Sequence, residues 1–341
     1  MSEIRYNHLD DSYVIIAPER LHRPDTMAWA EEEARGGVCP FCEGNEALTP
    51  DELYALREEG NAANRAPWQT RVVPNLYRAV QIETPNRSHG EGLHNMWEGF
   101  GAHEVIIDTP RHHGMGSWEL MEFYRWLLTL QHRLHDLRGD VRIHHIALFK
   151  NHGAAAGASQ SHPHTQLIGL GVVPRAAVRF LERTIAHYRE HGRGILEDMI
   201  AQEERDGSRI VISDDAFVVY CPYASAYPFE VIVASRRSCA SLETLDKDAL
   251  LRLARVMQTL FGKMTAQLGD FDFNLSLSNP PMHPGFDTAH LHEQIPDACR
   301  FHIRITPRIY RHGGFELGTG TMINPVSPEQ SAELLRGEER G

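Results

Sequence analysis

The sequence has few of the features that mark secreted, membrane or nucleic-acid-binding proteins. Only five of its 341 residues are cysteines, and an odd number does not suit a disulfide framework. No apolar run approaches the roughly 20 residues that a membrane-spanning helix needs. Basic residues number 34 against 46 acidic ones, a balance that argues against a nucleic-acid-binding face. The start, MSEIRYNHLDD, lacks a basic segment followed by an apolar one. We therefore expect a cytoplasmic protein without nucleic-acid or membrane partners.

The remaining composition is that of a globular protein. Hydrophobic residues make up 42% and charged residues 23%, which is ordinary for a soluble domain. A chain of this length suggests about two domains and can bury a sizeable core. Histidine is abundant, with 21 residues, and the imidazole group serves enzymes as metal ligand, base or nucleophile. Histidine chemistry is therefore the first place to look for function.

Two long amphipathic patterns predict helices over Ser117–Arg138 and Asp246–Leu268, each followed by glycine. Short β-type segments flank both helices, at 103–108, 141–149, 229–234 and 271–277. The shared order predicts an α+β fold with two tandem modules, each an antiparallel sheet with one long helix. Chance similarity between two strand–helix–strand units is the alternative. We divide the chain into residues 1–190 and 191–341.

The motif Cys39-x-x-Cys42 allows three interpretations: half of a zinc site, a redox pair, or two unrelated thiols. A redox pair needs its first cysteine at a helix N-terminus, whereas the residues on both sides here are typical of loops. Zinc takes four ligands, so histidines must complete a site that begins with these two thiols. The pattern favours the metal.

The segment His162-Pro163-His164-Thr165-Gln166 is the second candidate site. In an extended segment alternate residues share a face, so both histidines and Gln166 project together. The preceding loop, KNHGAAAGAS, is rich in small residues and lets backbone amides approach a phosphate. This arrangement suits attack on phosphorus by one imidazole. The alternative is two surface histidines beside a flexible loop.

Motifs along the whole chain resemble those of the galactose-1-phosphate uridylyltransferase family, which belongs to the histidine-triad-like superfamily. They occur in family order as CPFC, VVPNLYRAV (72–80), TPRH (109–112), KNHGAAAGASQSHPHTQ (150–166), YPFEVIV (227–233) and GGFELGTGTMINPV (313–326). The ending also resembles a branch that includes plant-type ADP-glucose phosphorylases. The resemblance implies two histidine-triad-like modules and a homodimer.

The resemblance assigns roles to the first-half motifs. His164 would be the nucleophile that forms a covalent nucleotidyl-histidine, and Gln166 would hold the transferred phosphoryl group. His162 would bind one structural zinc ion together with Cys39, Cys42 and His112, for which His103 and His113 are the runners-up. The residues implied to bind substrate are Arg20, Arg23, Asn75, Asn151, Gly157, Ala158, Ser159, Gln166 and Glu316.

The chain departs from the family pattern in its second half. Several members bind a second metal there through one glutamate and three histidines. Phe180 stands at the glutamate position, and the paired histidine motif is Arg300-Phe301-His302. Because arginine does not ligate a cation, we predict that the second metal is absent. His283, His290 and His292 form another histidine-rich segment, which we interpret as an exposed loop.

The sequence therefore predicts a nucleotidyltransferase that acts on a nucleotide sugar and a sugar 1-phosphate. The leading interpretation is a UDP-glucose–hexose-1-phosphate uridylyltransferase with ping-pong transfer through His164. Alternatives are an ADP-glucose phosphorylase with inorganic phosphate as acceptor, a histidine-triad-like hydrolase, and a zinc-stabilised binding module without catalysis.

Overall fold

The computed structural model describes residues 2–22, 38–285 and 287–337. Within these ranges the chain forms fifteen strands and seven α-helices. The strands are β1 (Glu3–Asn7), β2 (Ser12–Ile16), β3 (Tyr54–Leu56), β4 (Thr70–Pro74), β5 (Ser88–Glu91), β6 (His94–Trp97), β7 (Gly101–Ile107), β8 (His145–His152), β9 (His164–Leu170), β10 (Ile210–Ser213), β11 (Phe217–Tyr220), β12 (Val231–Ser235), β13 (Phe273–Leu277), β14 (His302–Pro307) and β15 (Met322–Asn324). The helices are α1 (Leu120–Arg138), α2 (Arg175–His191), α3 (Ile195–Asp206), α4 (Lys247–Leu268), α5 (Ile295–Ala298), α6 (Gly314–Thr319) and α7 (Pro328–Arg336).

Ten strands form one antiparallel sheet in the order β10-β11-β12-β14-β13-β8-β9-β7-β4-β3. The order is symmetric about the central pair of β13 and β8. Outward from that pair, β9, β7, β4 and β3 of the first half correspond to β14, β12, β11 and β10 of the second. This topology confirms the predicted α+β fold of two tandem modules. The domain limit at residue 190 stays a prediction.

Each module contributes one long helix to the same face of the sheet. Helix α1 follows β7 and α4 follows β12, and the two helices pack together over one continuous apolar core. Helix α4 has its N-cap at Asp246, where the predicted range begins, and the Asp246 carboxylate accepts a hydrogen bond from the Ala249 N–H at 2.8 Å. Helix α1 begins later than predicted. Its N-cap is Glu119, two residues after Ser117, where the predicted range begins. The Glu122 carboxylate accepts a hydrogen bond from the Glu119 N–H at 2.9 Å.

The opposite face of the sheet differs between the halves. In the second half α3 covers it, with Leu196 and Ile200 packed on strands β11 and β12. In the first half it carries a small apolar cluster that includes Val105 and Ile107, with Phe41 against it. Because side chains alternate along a strand, Thr165 and Leu167 of β9 face the helices, while His164 and Gln166 project to the opposite side.

The beginning of the chain belongs structurally to the second half. Strands β1 and β2 form a three-stranded sheet with β15, which pairs parallel to β2. Arg5 donates a hydrogen bond to the Glu329 carboxylate at 2.8 Å, at the start of α7. The composition of these short strands gave no signal for this pairing. No helix among the described residues is long and apolar enough to cross a bilayer.

Replacing Leu260 of α4 by alanine should lower the free energy of unfolding by about 2–5 kcal/mol, because its side chain is fully buried between the helices and the sheet. Chemical denaturation followed by circular dichroism measures the change. The matched control is Leu317→Ala, since Leu317 is 83% exposed on α6 and should lose less than about 0.5 kcal/mol. Equal losses at both sites would contradict the shared core.

Candidate active site and metal centre

The four residues predicted to bind zinc lie close together in the first half of the chain. The ligand atoms of Cys39, Cys42, His112 and His162 all lie within 4.8 Å of one another. The Cys42 Sγ lies 3.6 Å from the His112 Nδ1 and 3.5 Å from the His162 Nδ1. A tetrahedral zinc ion with ordinary bond lengths separates its ligands by about 3.5 Å. The donor set and its spacing therefore fit zinc.

Each histidine of this group is held through its other ring nitrogen. The His162 Nε2 bonds the Thr109 carbonyl at 2.9 Å, and the His112 Nε2 lies 3.1 Å from the Ser161 Oγ. A carbonyl only accepts, so the proton of His162 is on Nε2 and its Nδ1 is available to a metal. The Ser161 hydroxyl can accept as well as donate, so its contact is compatible with the same tautomer of His112.

Burial also shifts the pKa values of two of the predicted zinc ligands, His162 and Cys42. Burial lowers the pKa of His162 to about 4, so its imidazole is neutral, as a ligand must be. Burial and the neighbouring Cys39 thiol raise the pKa of Cys42 to about 11. A bound metal would counteract this shift and favour the Cys42 thiolate.

His164 begins β9, only two residues after His162. The residue is only 4% exposed, and its Nδ1 bonds the His162 carbonyl at 2.9 Å. That bond places the proton on Nδ1 and leaves the Nε2 lone pair free. Burial lowers the pKa of His164, and the Lys150 ammonium lowers it further, so the neutral, nucleophilic form is favoured. The Lys150 Nζ is itself anchored at 2.7 Å to the Asp108 carboxylate.

Gln166 lies in a cluster with His103 and Asn75. The Gln166 Oε1 is 3.2 Å from the His103 Nε2, and the Asn75 Nδ2 is 3.0 Å from the same atom. His103, a runner-up for the fourth zinc ligand, therefore belongs to the neighbourhood of Gln166. The other runner-up, His113, bonds the Glu122 carboxylate at 3.3 Å. Among the described residues, the set with Cys39, Cys42, His112 and His162 is the one group of three or more ligands close enough to share an ion.

Residues of the second half hold the small-residue loop of the first. The Asn274 Nδ2 donates to the Asn151 Oδ1 and to the Ala156 carbonyl, both at 2.9 Å. The Asp272 carboxylate accepts from the Ala155 N–H at 2.6 Å and lies where a side chain at Gly153 would project. Gly153 has φ of 79°, so the turn and the close approach both require glycine. The sequence patterns did not predict that Asp272 and Asn274 hold this loop. The one signal in the sequence is that both are polar residues in the mainly apolar segment 271–277.

The remaining predicted substrate residues lie in different places. Asn151 is the penultimate residue of β8, and Gly157, Ala158 and Ser159 lie in the loop that follows, with Gly157 and Ser159 exposed. Arg20 lies on the short 3₁₀ helix Pro18–His22, and Arg23 lies outside the described residues. Glu316 is buried on α6, where its carboxylate accepts from the Gly313 N–H at 2.8 Å.

The second half repeats the histidine geometry without the ligands. His302 begins β14 as His164 begins β9, and its Nδ1 lies 3.1 Å from the Arg300 carbonyl. The Arg300 side chain instead pairs with Glu197 at 2.6 Å. In the other histidine-rich segment, the His283 Nε2 bonds the Arg138 carbonyl at 2.9 Å. The absence of a second metal stays a prediction.

This geometry combines a buried imidazole with a free nitrogen, an amide two residues further on the same face, and a glycine-containing loop. The arrangement suits nucleophilic attack by the imidazole on an electrophile that the loop and the amides hold. A phosphoryl group, which accepts hydrogen bonds from such donors, fits these requirements.

Comparison with known proteins identifies the family of this chain. The model for the N-terminal domain of galactose-1-phosphate uridyl transferase matches residues 1–174, and that for the C-terminal domain matches residues 181–337. An ADP-glucose phosphorylase from Arabidopsis thaliana is 29% identical, over 98% of this chain and 92% of its own length. A galactose-1-phosphate uridylyltransferase from Saccharomyces cerevisiae is 28% identical, over 98% and 94%.

Solved structures are also similar to this chain over nearly its whole length. The crystal structure of an ADP-glucose phosphorylase from Arabidopsis thaliana with bound ADP-glucose has a TM-score of 0.81 at 26% identity and covers both chains completely. A structure of a uridylyltransferase has a TM-score of 0.73 at 20% identity, covers 99% of this chain and 98% of its own, and shares the fold. With both family domains matched in order, the chain belongs to the galactose-1-phosphate uridyl transferase family.

Proposed function

We propose that this chain is a UDP-glucose–hexose-1-phosphate uridylyltransferase that transfers the nucleotidyl group through His164. The observation that carries the proposal is the hydrogen bond from the His164 Nδ1 to the His162 carbonyl. It fixes the tautomer, so that the Nε2 lone pair is free on the face that Gln166 shares. The relatives named uridylyltransferase, similar over almost the whole chain, support the same reaction.

The chemistry has two displacement steps at the α-phosphorus. In the first, the His164 Nε2 forms a bond to phosphorus while the bond to the sugar 1-phosphate oxygen breaks, and that oxygen leaves with the electron pair. In the second, an oxygen of the incoming hexose 1-phosphate attacks phosphorus, and Nε2 leaves with its electron pair restored. Neither step needs a proton from His164. A neutral imidazole, favoured by the lowered pKa, is the form that attacks in the first step and that the second step regenerates.

The other residues bind and orient. Gln166 donates to the phosphoryl oxygens, where charge develops as the leaving group departs. Asn75, Asn151 and the loop of Gly157, Ala158 and Ser159 line the nucleotide. Arg20 and Arg23 contact phosphates, and Glu316 accepts hydrogen bonds from sugar hydroxyls. The family resemblance supports this second set of roles, and they belong to the proposal.

Zinc, when bound by Cys39, Cys42, His112 and His162, has a structural role in this proposal. Four protein ligands close a tetrahedral site and leave no position for a substrate. The metal would hold the His162 backbone, whose carbonyl orients His164. A homodimer and a cytoplasmic location belong to the same proposal, on the basis of the family resemblance and the sequence.

An ADP-glucose phosphorylase is the second candidate. The similarity to the Arabidopsis protein, 29% identity and a TM-score of 0.81, favours it specifically. The nucleophile and the first step are the same, but the donor carries adenine and inorganic phosphate is the acceptor. Since the described contacts involve the phosphoryl side of the site, they suit both donors.

The donor is identified by brief mixing with UDP-glucose or ADP-glucose, followed by intact mass measurement. We expect a mass increase of one UMP with UDP-glucose, because the site accumulates a covalent intermediate when no acceptor is present. An AMP adduct with ADP-glucose alone would instead support the phosphorylase. If neither donor gives an adduct, covalent transfer from these two nucleotide sugars is contradicted.

Replacing His164 by glycine should abolish the adduct and reduce turnover on the order of a thousandfold or more, because the nucleophile is removed. Zinc content should stay close to that of the wild type, since His164 is not among the four predicted ligands. His113→Gln is the matched control, a nearby histidine with no proposed role. Turnover by His164→Gly at the wild-type rate would refute the covalent route.

The metal site predicts about one zinc per chain by elemental analysis of protein purified without chelators. His112→Gln should lose most of this zinc, because three ligands and a neutral amide hold the ion poorly. In the neighbouring variant His113→Gln the zinc should remain, since His113 bonds Glu122 instead. Wild-type protein without zinc, or equal loss in both variants, would contradict the assignment.

A further inference from the structure

We infer that His103 is a positioning residue, which fixes the amide of Gln166 so that its NH₂ group faces the transferred phosphoryl group. The inference rests on the proposed function, because it concerns how Gln166 donates to that group. It begins from one backbone contact. The Ala79 N–H donates to the His103 Nδ1 at 3.0 Å.

This contact determines the tautomer of His103. A backbone N–H is always a donor, so the Nδ1 that receives it carries no proton. The proton of a neutral imidazole is then on Nε2, and this N–H donates to the nearest acceptor. The Gln166 Oε1 lies 3.2 Å away and receives it.

The consequence lies at the other end of the Gln166 amide. With its oxygen held by His103, the amide presents its NH₂ group to the rest of the site. A free glutamine rotates and presents either group, and its carbonyl oxygen would repel a phosphoryl oxygen. One hydrogen bond therefore selects the productive orientation before the substrate arrives, which is the preorganisation that electrostatic stabilisation requires.

Strand register places the two side chains together. In the pairing of β7 with β9, Val105 is opposite Gln166 and His103 is opposite Ile168. His103 and Gln166 are therefore diagonal neighbours on the same face, a separation that long side chains bridge. The backbone of β4 continues the arrangement, because the Asn75 N–H donates to the His103 carbonyl at 2.9 Å.

The same tautomer leaves a second donor without a matching acceptor. The Asn75 Oδ1 accepts from the Tyr77 N–H at 2.8 Å, which turns the Asn75 Nδ2 toward the His103 Nε2 at 3.0 Å. Because that nitrogen carries its own proton, it does not accept from Asn75. The Asn75 NH₂ group is therefore available to an oxygen outside this cluster, and a bound substrate could supply one. The amides of Asn75 and Gln166 both approach the same atom, His103 Nε2.

The test is the single-turnover rate of adduct formation in three variants of His103. A glutamine side chain places an NH₂ group near the position of Nε2, whereas asparagine reaches only the position of Nδ1. We expect His103→Leu and His103→Asn to slow adduct formation about 10- to 100-fold at saturating donor, the effect of one lost hydrogen bond to a charged group. His103→Gln should recover most of the rate. Equal rates for the glutamine and asparagine variants would overturn the inference.

A double variant separates positioning from a structural effect. In a Gln166→Ala background, His103→Leu should cause little further loss, because the amide that it orients is gone. Full additivity of the two losses would contradict the inference. Zinc content and thermal unfolding midpoint identify variants that fail to fold.

The wild type provides the remaining control. An adduct in the wild type with unchanged rates in all His103 variants would refute the inference and leave the proposed function intact. A wild type that forms no adduct with either donor contradicts the proposed function itself.

Discussion

The pairing of β8 with β13 at the centre of the ten-stranded sheet is the interaction on which the rest of the structure depends. It joins the two modules edge to edge, and it lets α1 and α4 share one apolar core. It also reaches the candidate site directly. Asn274 of β13 lies opposite Asn151 and bonds both its side chain and the loop that follows. The first module carries the histidines, while the second holds the loop beside them.

Next to His164, the residue His162 makes two different contacts, one through its ring and one through its backbone. The His162 ring contributes a nitrogen to the metal group, and the His162 carbonyl receives the proton-bearing nitrogen of His164. A change in the metal group is therefore transmitted to the imidazole through two residues of backbone. Lys150 also contacts this strand, because its Nζ donates to the His164 carbonyl while it forms a buried ion pair with Asp108. Such a pair contributes to specific geometry more readily than to net stability.

Sequence patterns predicted those parts of the molecule that depend on local periodicity. Alternation along a strand placed His164 and Gln166 on one face, and helical periodicity placed α1 and α4. Family resemblance supplied His112 as the fourth ligand, which spacing alone did not distinguish from His113. The location of His103 depends on the register between β7 and β9, and register is a long-range property that one strand does not encode. The contacts of Asp272 with the loop join residues more than a hundred positions apart, so no local pattern indicates them.

The separation along the chain between β8 and β13 has a consequence for biosynthesis. When His164 and the four residues of the candidate metal site have left the ribosome, the partner strand of β8 and the side chains that contact the glycine loop have not yet been translated. Until then β8 presents an open edge, which is a site for pairing with other nascent chains. Non-local pairing of this kind is slow to form. The arrangement of the candidate site is therefore completed late in synthesis, and a polypeptide released before β13 would carry His164 and Gln166 without the strand that holds the loop beside them.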